Sequence, residues 1–397
     1  MTGAARRQRA LFVLNSTGFG GLEIVLLDWL AGCDHEKMEI LVACGNPEFS
    51  RRLEAMGIPA RVIPIEFPFK LPVWTALKRW VKLFRDTRPD RIIFLEASPP
   101  PDFGVQAVAP AVWFTGGRTY FFQSLAPEPF ANKSSKRHLG ILPGLGIYWR
   151  KIGWWLRLRN RITARTLTAS QAVGNKMVDY FGYPADAFTV AYHGVDTEAF
   201  APSPEARRRW REENNIPQDA TVLVSHGRLA AVKQPQRLLR AFDAAARERE
   251  DVYLVLTAYG ELTEEITAAA KAIHGADRVR LVGFQRDRAA LLQAADIYVL
   301  ASDNEGFPIA VLEAMSTGLL CTASNVAGPN EIITDGANGL LMEPNMDSAI
   351  AGVLRAVRLA PAEHRRLASA ARQSILDRCE IHASVRNSLG MFGVAAR

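Results

Sequence analysis

The chain has 397 residues, 43.8 kDa, with 48% hydrophobic and 22% charged residues. That balance excludes collagen-like and disordered classes, and the length exceeds one typical core, so two domains of nearly 200 residues are expected. A net charge of +7 and a pI near 9.3 point to an anionic partner: a nucleotide, a phospholipid surface or a nucleic acid.

The start, residues 1–9, is basic, but the apolar run behind it covers only 10–14. This is too short for a secretory signal and reads as a first strand. No stretch reaches the roughly eighteen apolar residues of a membrane span. Cys33, Cys44, Cys321 and Cys379 show no metal-ligand spacing, and a chain of this size needs no disulfides. A cytoplasmic location is expected.

The strand at 10–14 runs into a glycine-rich turn at 15–21 and a helix at 22–30. Strand, glycine turn and helix open a doubly wound α/β domain, and such a turn can approach a phosphate closely. The spacing is not that of a dinucleotide fingerprint. Further strands are expected at 38–43, 60–63, 91–95, 119–122, 165–169 and 188–192, separated mostly by helical patterns, as a parallel sheet requires.

Composition changes between Glu128 and Asp179, where no other acid occurs. Lys133, Lys136, Arg137, Arg150, Lys151, Arg157, Arg159, Arg161 and Arg165 interleave with Trp149, Trp154, Trp155, Leu156 and Leu158. Arg150, Lys151, Trp154, Trp155 and Arg157 are therefore candidates for contact with an anionic membrane surface. The alternative is a helix packed on its domain with solvated arginines. Nucleic acid is not expected as a partner, because no recognition-helix, RNA-binding or zinc pattern accompanies the charge.

Residues 192–215 read as the crossing between domains, with His193 at a strand end in the hinge. A second α/β series follows: strands at 221–225, 252–257, 279–282, 297–300 and 319–323, and helices from near Pro235, Leu262 and Asp287. The loop after its first strand carries Arg228 and Lys233. In open α/β sheets ligands bind at the strands' C-terminal edge, where two cations can neutralise a diphosphate without a metal. No Asp-x-Asp pair occurs to hold one.

The most informative stretch is 301–315. Pro308 suits a first helical position, Gly306 a sharp turn beside a ligand, and the N–H groups near Ile309 and Ala310 an anion. Glu305 lies in the loop. Glu313, the only ionisable residue between Pro308 and Leu320, is costly to bury without partners, and a ligand rich in hydroxyls would satisfy it.

With Gly227-Arg-Leu-x3-Lys233, Glu305-Gly-Phe-Pro-x4-Glu313 and Gly328-Pro-Asn-Glu-Ile-Ile333 in order, the chain resembles the family 4 glycosyltransferases. Gly20-Gly-Leu-Glu23 and His193-Gly-Val-Asp196 fit as well. The resemblance implies the α/β GT-B fold: two Rossmann-like domains facing across a cleft, with a C-terminal helix crossing back to the first. The expected boundaries are 1–200 plus 381–397 for an acceptor domain and 201–380 for a donor domain. It also implies a retaining, metal-independent transferase with no cofactor, using a nucleotide diphosphate sugar as co-substrate. Arg228 and Lys233 would hold the diphosphate and Glu313 the ribose. Glu305, Gly306 and Phe307 would hold the donor sugar, with Gly20 and Gly21 approaching the phosphate. The implied acceptor is a membrane-linked lipid or growing glycan at the inner membrane face. Two other enzyme readings share the architecture: a soluble-acceptor transferase and a nucleotide-sugar epimerase. An inactive scaffold binding membrane or a partner is the reading from another class.

Two positions depart from the family pattern. Gln123 stands near the point where many relatives carry a histidine after the fifth strand, and is a candidate sugar or acceptor contact that cannot gain a charge. Gln234 stands where a glycine commonly follows the lysine, and is expected to change only loop shape.

Overall fold

The computed structural model describes residues 6–16, 19–65, 72–97, 104–125 and 143–397, the side chains of 143–152 excepted. Residues 1–5 of the basic start, 17–18 of the glycine turn, 126–128 after the fifth strand and 133–142 of the cationic segment lie outside the described residues. The chain forms two compact units, Met1–His193 with His382–Arg397, and Gly194–Ile381.

The first unit begins β1 (Gln8–Leu14), α1 (Gly21–Gly32), β2 (Met38–Cys44), α2 (Pro47–Ala55) and β3 (Arg61–Pro64). It continues through α3 (Val73–Thr87), β4 (Arg91–Glu96), α4 (Val105–Thr115) and β5 (Thr119–Gln123). Then come α5 (Pro143–Ile162), β6 (Arg165–Thr168), α6 (Gln171–Phe181) and β7 (Phe188–Val190). The strands are parallel in the order β3-β2-β1-β4-β5-β6-β7. Leu11, Phe12 and Val13 are buried in succession, so both faces of β1 are covered, which explains the unbroken apolar run. The order reverses beside β1. Right-handed crossovers therefore put α3, α4 and α5 on one face, where Trp80, Phe84, Val108, Trp155 and Ile162 join one apolar cluster.

The last helix, α15 (Ile381–Met391), belongs almost wholly to this unit. Trp29 meets Phe392 edge-on at 5.2 Å, and Arg397 N–H donates to Gly32 O at 2.9 Å. A Cβ on Gly32 would lie 2.3 Å from Val385 Cγ1, so only glycine leaves room for that helix.

The cationic segment lies on α5, and its side chains divide. Trp154 is 60% exposed and Arg157 is exposed, whereas Trp155 is half-buried against the apolar cluster. Trp155 is thus a core contact, not the membrane contact expected from sequence, because adjacent helical positions lie about 100° apart. The side chains of Arg150 and Lys151 lie outside the described residues. Arg159 turns fully inward. Its Nη1 donates to both oxygens of buried Glu96 at 2.9 and 2.8 Å, and its guanidinium lies 3.8 Å from the Phe121 ring centroid.

The second unit runs α7 (Pro204–Glu213), β8 (Thr221–Ser225), α8 (Pro235–Glu248), β9 (Val252–Thr257), α9 (Thr263–Ala270) and β10 (Val279–Val282). It continues α10 (Arg288–Gln293), β11 (Ile297–Leu300), α11 (Ile309–Ser316), β12 (Leu320–Ser324) and α12 (Pro329–Ile332). It closes with β13 (Leu340–Met342), α13 (Met346–Val357) and α14 (Pro361–Arg378). Its parallel sheet has the order β10-β9-β8-β11-β12-β13, with an apolar core on each face. β13 is an additional strand that sequence reading did not find, since three residues carry too little periodicity.

Glu96→Ala should cost about 3–5 kcal/mol, because it leaves Arg159 charged, buried and unpaired. Urea midpoints read this against Arg157→Ala, an exposed control expected within about 0.5 kcal/mol of the parent. Equal midpoints for the two variants would show that the buried pair contributes nothing.

Candidate functional site

In the second unit β8 pairs directly with β11, through Ile297 with Leu223 and Tyr298 with Val224. The loops leaving their C-terminal ends therefore lie side by side at the point where the strand order reverses. One loop, 226–234, carries the basic residues; the other, 301–308, carries Glu305 and leads into α11.

Several bonds join the loops. Asp303 N–H donates to Val232 O at 2.9 Å. Asp303 also accepts from Gln234 Nε2 at 2.6 Å and Arg237 Nη2 at 2.8 Å, while Arg237 Nη1 donates to Ala301 O at 2.7 Å. Gln234 has φ +49°, the left-handed region, which explains physically why a glycine suits the position. Here the side-chain bond to Asp303 accompanies the strained backbone, so Gln234 does more than reshape the loop. Pro235 then opens α8 at its first position.

Lys233 and Glu305 meet. Nζ lies 2.6 Å from Oε1, with the carboxylate side chain 9% exposed and the lysine side chain 37%. Arg228 does not join them. Its side chain is 64% exposed and its nearest acid is Glu261, at 3.8 Å. The two cations expected to act as a pair are therefore one bound and one open to solvent in this structure.

Glu313 corrects a second expectation. It is buried, yet it has protein partners and does not wait for a ligand. Arg288, at the first position of α10, donates from Nε at 3.0 Å and Nη2 at 2.7 Å to Oε1. His226 Nε2 lies 3.3 Å from Oε2, an ion-pair distance without hydrogen-bond alignment. Burial pushes the Glu313 pKa up, but His226 and Arg288 outweigh it and hold it below the ordinary carboxylate value. Arg288 and His226 were missed from sequence. Twenty-five residues separate Arg288 from Glu313, and no local pattern signals the pairing.

The turn before α11 also differs in detail. Pro308 is the cap, with φ −76° and ψ 104°, and Ile309 is the first helical residue. The left-handed glycine is Gly328 at φ +87°, not Gly306. A Cβ on Gly328 would lie 2.4 Å from Gly306 O and 3.0 Å from Pro308 Cδ. Gly328 thus holds open the space that the 306–308 backbone occupies. Phe307 is partly buried against the apolar core.

In the first unit, Gly20 caps α1 and Gly21 opens it, both exposed. The Gly20 N–H is taken by Glu23 Oε2 at 2.7 Å, so this expected phosphate donor is satisfied internally. Gln123 is fully buried. Its amide donates to Leu125 O at 2.9 Å, and its Oε1 has no partner among the described residues. It is not presented to a sugar here, in contrast to the sequence expectation. His193 is buried with Nε2 3.2 Å from Asp28 Oδ2, as a strand-end residue tied to α1.

Residues 19–199 match the family profile described as Glycosyltransferase Family 4, and residues 206–374 that of Glycosyl transferases group 1. A D-inositol 3-phosphate glycosyltransferase of Paenarthrobacter aurescens is 29% identical over 202 residues, 48% of each chain. An Escherichia coli UDP-Gal:alpha-D-GlcNAc-diphosphoundecaprenol alpha-1,3-galactosyltransferase is 32% identical over 171 residues, 42% of this chain and 44% of the relative. The chain spans about half the length of the curated relatives it matches. Among solved structures, HepE of Anabaena, in complex with UDP and glucose, has TM-score 0.76 at 19% identity, covering 98% of this chain and 100% of that one. Such a likeness shows the fold, the GT-B arrangement of two parallel-sheet α/β domains.

Removing the Glu313 clamp has a pH signature. Glu313 has a depressed folded pKa, so its contribution is present above the unfolded value and lost as pH falls through the folded one. Arg288→Ala should cost about 3 kcal/mol at neutral pH, and the difference from the parent should shrink on acidification. Denaturant midpoints across that range measure it, and a pH-independent difference would discard the ionic account. Gly328→Ala should cost about 2–3 kcal/mol from backbone strain and collision. Gly227→Ala, also at positive φ (+141°) but with nothing within 4 Å of its Cβ, should cost about 1 kcal/mol.

Proposed function

The chain belongs to the family 4 glycosyltransferases, and from that premise we propose that it transfers a sugar, with retention and without a metal, from a nucleotide diphosphate sugar to a lipid-linked or polysaccharide acceptor at the inner face of a membrane. The observation that carries the reading is the Lys233–Glu305 contact at 2.6 Å, in the loops after two adjacent strands. A cation and a carboxylate at the C-terminal edge of a parallel sheet supply what diphosphate and sugar hydroxyls each need.

In this reading an arriving diphosphate replaces Glu305 as the partner of Lys233. The freed carboxylate, with the Gly306 and Phe307 backbone, turns to the hydroxyls of the donor sugar. Arg228, already solvent-exposed, swings onto the same diphosphate. Glu313 takes the ribose through the oxygen that Arg288 holds less closely. The negative charge that develops on the leaving diphosphate is then neutralised by Arg228 and Lys233. The acceptor hydroxyl attacks on the face that the diphosphate leaves. Its proton passes to a departing phosphate oxygen, so no separate protein nucleophile or base is required. The lipid-linked acceptor is favoured by the galactosyltransferase relative, whose name specifies a diphosphoundecaprenol substrate, and by exposed Trp154 and Arg157. No helix among the described residues is long and apolar enough to cross a membrane, so the contact proposed is peripheral.

A thermal-shift panel of UDP-, GDP- and ADP-sugars should identify the donor base. With that donor, Lys233→Ala and Arg228→Ala should each lower transfer by about 100-fold or more, and Arg228→Ala, at a side chain 64% exposed, should melt like the parent. Full turnover by either variant would refute the assignment.

A further inference from the structure

Three helices on one face of the first sheet, α3, α4 and α5, present an outer surface that sequence reading recognised only on α5. On α3, Trp74, Lys78, Lys82 and Arg85 follow one another at four, four and three residues, the spacing of one helical stripe, and all four are exposed. The opposite stripe, Ala76, Trp80 and Phe84, is buried in the core. On α4, Val105, Ala109 and Trp113 recur every four residues and are exposed, Trp113 to 84%. That helix contains no charged residue at all, an unusual composition for one at the surface. On α5 the exposed positions among the described side chains are Trp154, Arg157 and Arg161.

The apolar stripe of α4 therefore lies between two cationic stripes, each carrying its own exposed tryptophan. Among the described side chains of the three helices, six exposed cations, Lys78, Arg79, Lys82, Arg85, Arg157 and Arg161, stand against one exposed acid, Asp86. Asp86 is itself paired, 2.6 Å from Lys82 Nζ. A solvated surface needs no row of exposed tryptophans, and a contact with an ordinary protein surface needs no such one-sided charge. Tryptophan rings over an apolar strip with lysine and arginine at its borders match the headgroup boundary of a bilayer, rings inserted and cations on phosphates.

We infer that the outer face of α3, α4 and α5 is a docking surface for an anionic phospholipid bilayer, with Trp74, Trp113 and Trp154 as the inserted anchors. The inference deepens the lipid-linked acceptor reading and rests on it for the choice of a membrane as occupant. It extends the contact from one helix to three, which fixes the whole unit against the membrane where one helix would allow it to roll.

Vesicle co-sedimentation of the full chain tests this, with phosphatidylcholine alone and with phosphatidylcholine mixed with phosphatidylglycerol. The parent should bind the mixed vesicles, release with added salt and bind phosphatidylcholine weakly. Trp113→Asp and the double change Lys78→Asp with Arg85→Asp should each lower binding about tenfold or more, roughly 1.4 kcal/mol. Lys271→Asp, an exposed site in the second unit, should bind as the parent does. Wild-type vesicle binding by the α3 and α4 variants would overturn the inference, as would light scattering that shows Trp113→Asp dissolving a dimer. Nucleotide-sugar thermal shifts on the same variants separate the two readings. A parent that binds vesicles but shifts with no nucleotide sugar defeats the transferase assignment. Shifts kept by variants that have lost the membrane support the surface.

Discussion

The second unit depends on the side-by-side placement of β8 and β11, two parallel strands distant in sequence whose C-terminal loops become neighbours at the sheet's reversal point. Both loops are rich in charge, and at that proximity opposite charges must either pair or be held apart. Asp303 gathers Gln234 and Arg237, Glu305 takes Lys233, and the Asp303 N–H reaches Val232 O. This stitching sets the backbone of both loops before any ligand arrives. In the proposed function, binding is an exchange of partners: the free energy of forming new contacts to an anion is offset by breaking those already made.

The two units bury a carboxylate by the same physical device. Glu96 ends β4 and meets Arg159 from α5; Glu313 lies in α11 and meets Arg288 from α10. Arg159 supplies two hydrogen bonds and Arg288 three, each to a carboxylate within 4% of full burial, where a lysine would supply a point charge. Such pairs contribute modestly against an apolar alternative, yet losing one member is expensive. The Glu96 pair is sealed at the sheet edge beneath α5. Arg288 keeps a quarter of its side chain in solvent, so the Glu313 pair is the more adjustable of the two.

Charge is also unevenly distributed. The second unit turns three of its arginines inside the fold, Arg211, Arg237 and Arg278; Arg211 donates to Ala294 O, Gln218 O and Ala220 O and pairs with Asp296. In the helical layer of the first unit Lys78, Lys82, Arg85, Arg157 and Arg161 are exposed, beside exposed tryptophans, while Arg159 turns inward. The same residue type thus serves backbone carbonyls in one place and lies open to solvent in the other. Only the surroundings of each side chain distinguish them.

Periodicity and punctuation in the chain were enough to locate most strands, the two glycine-bearing loops and the start of α8 at Pro235, because each depends on residues within a few positions of one another. The pairing of a basic loop with an acidic one was legible too, since strand-end loops of a parallel sheet collect at one edge. Tertiary structure alone decided which partner each charge takes. Arg288 reaches Glu313 across 25 residues, Glu23 occupies the Gly20 N–H, and Gly328 clears space for Gly306. It also decided which of two adjacent tryptophans faces the core, and that Trp74, Trp113 and Trp154 share one layer. Those outcomes follow from the packing of distant segments, where burial makes the choice of partner energetically decisive and sequence spacing carries no record of it.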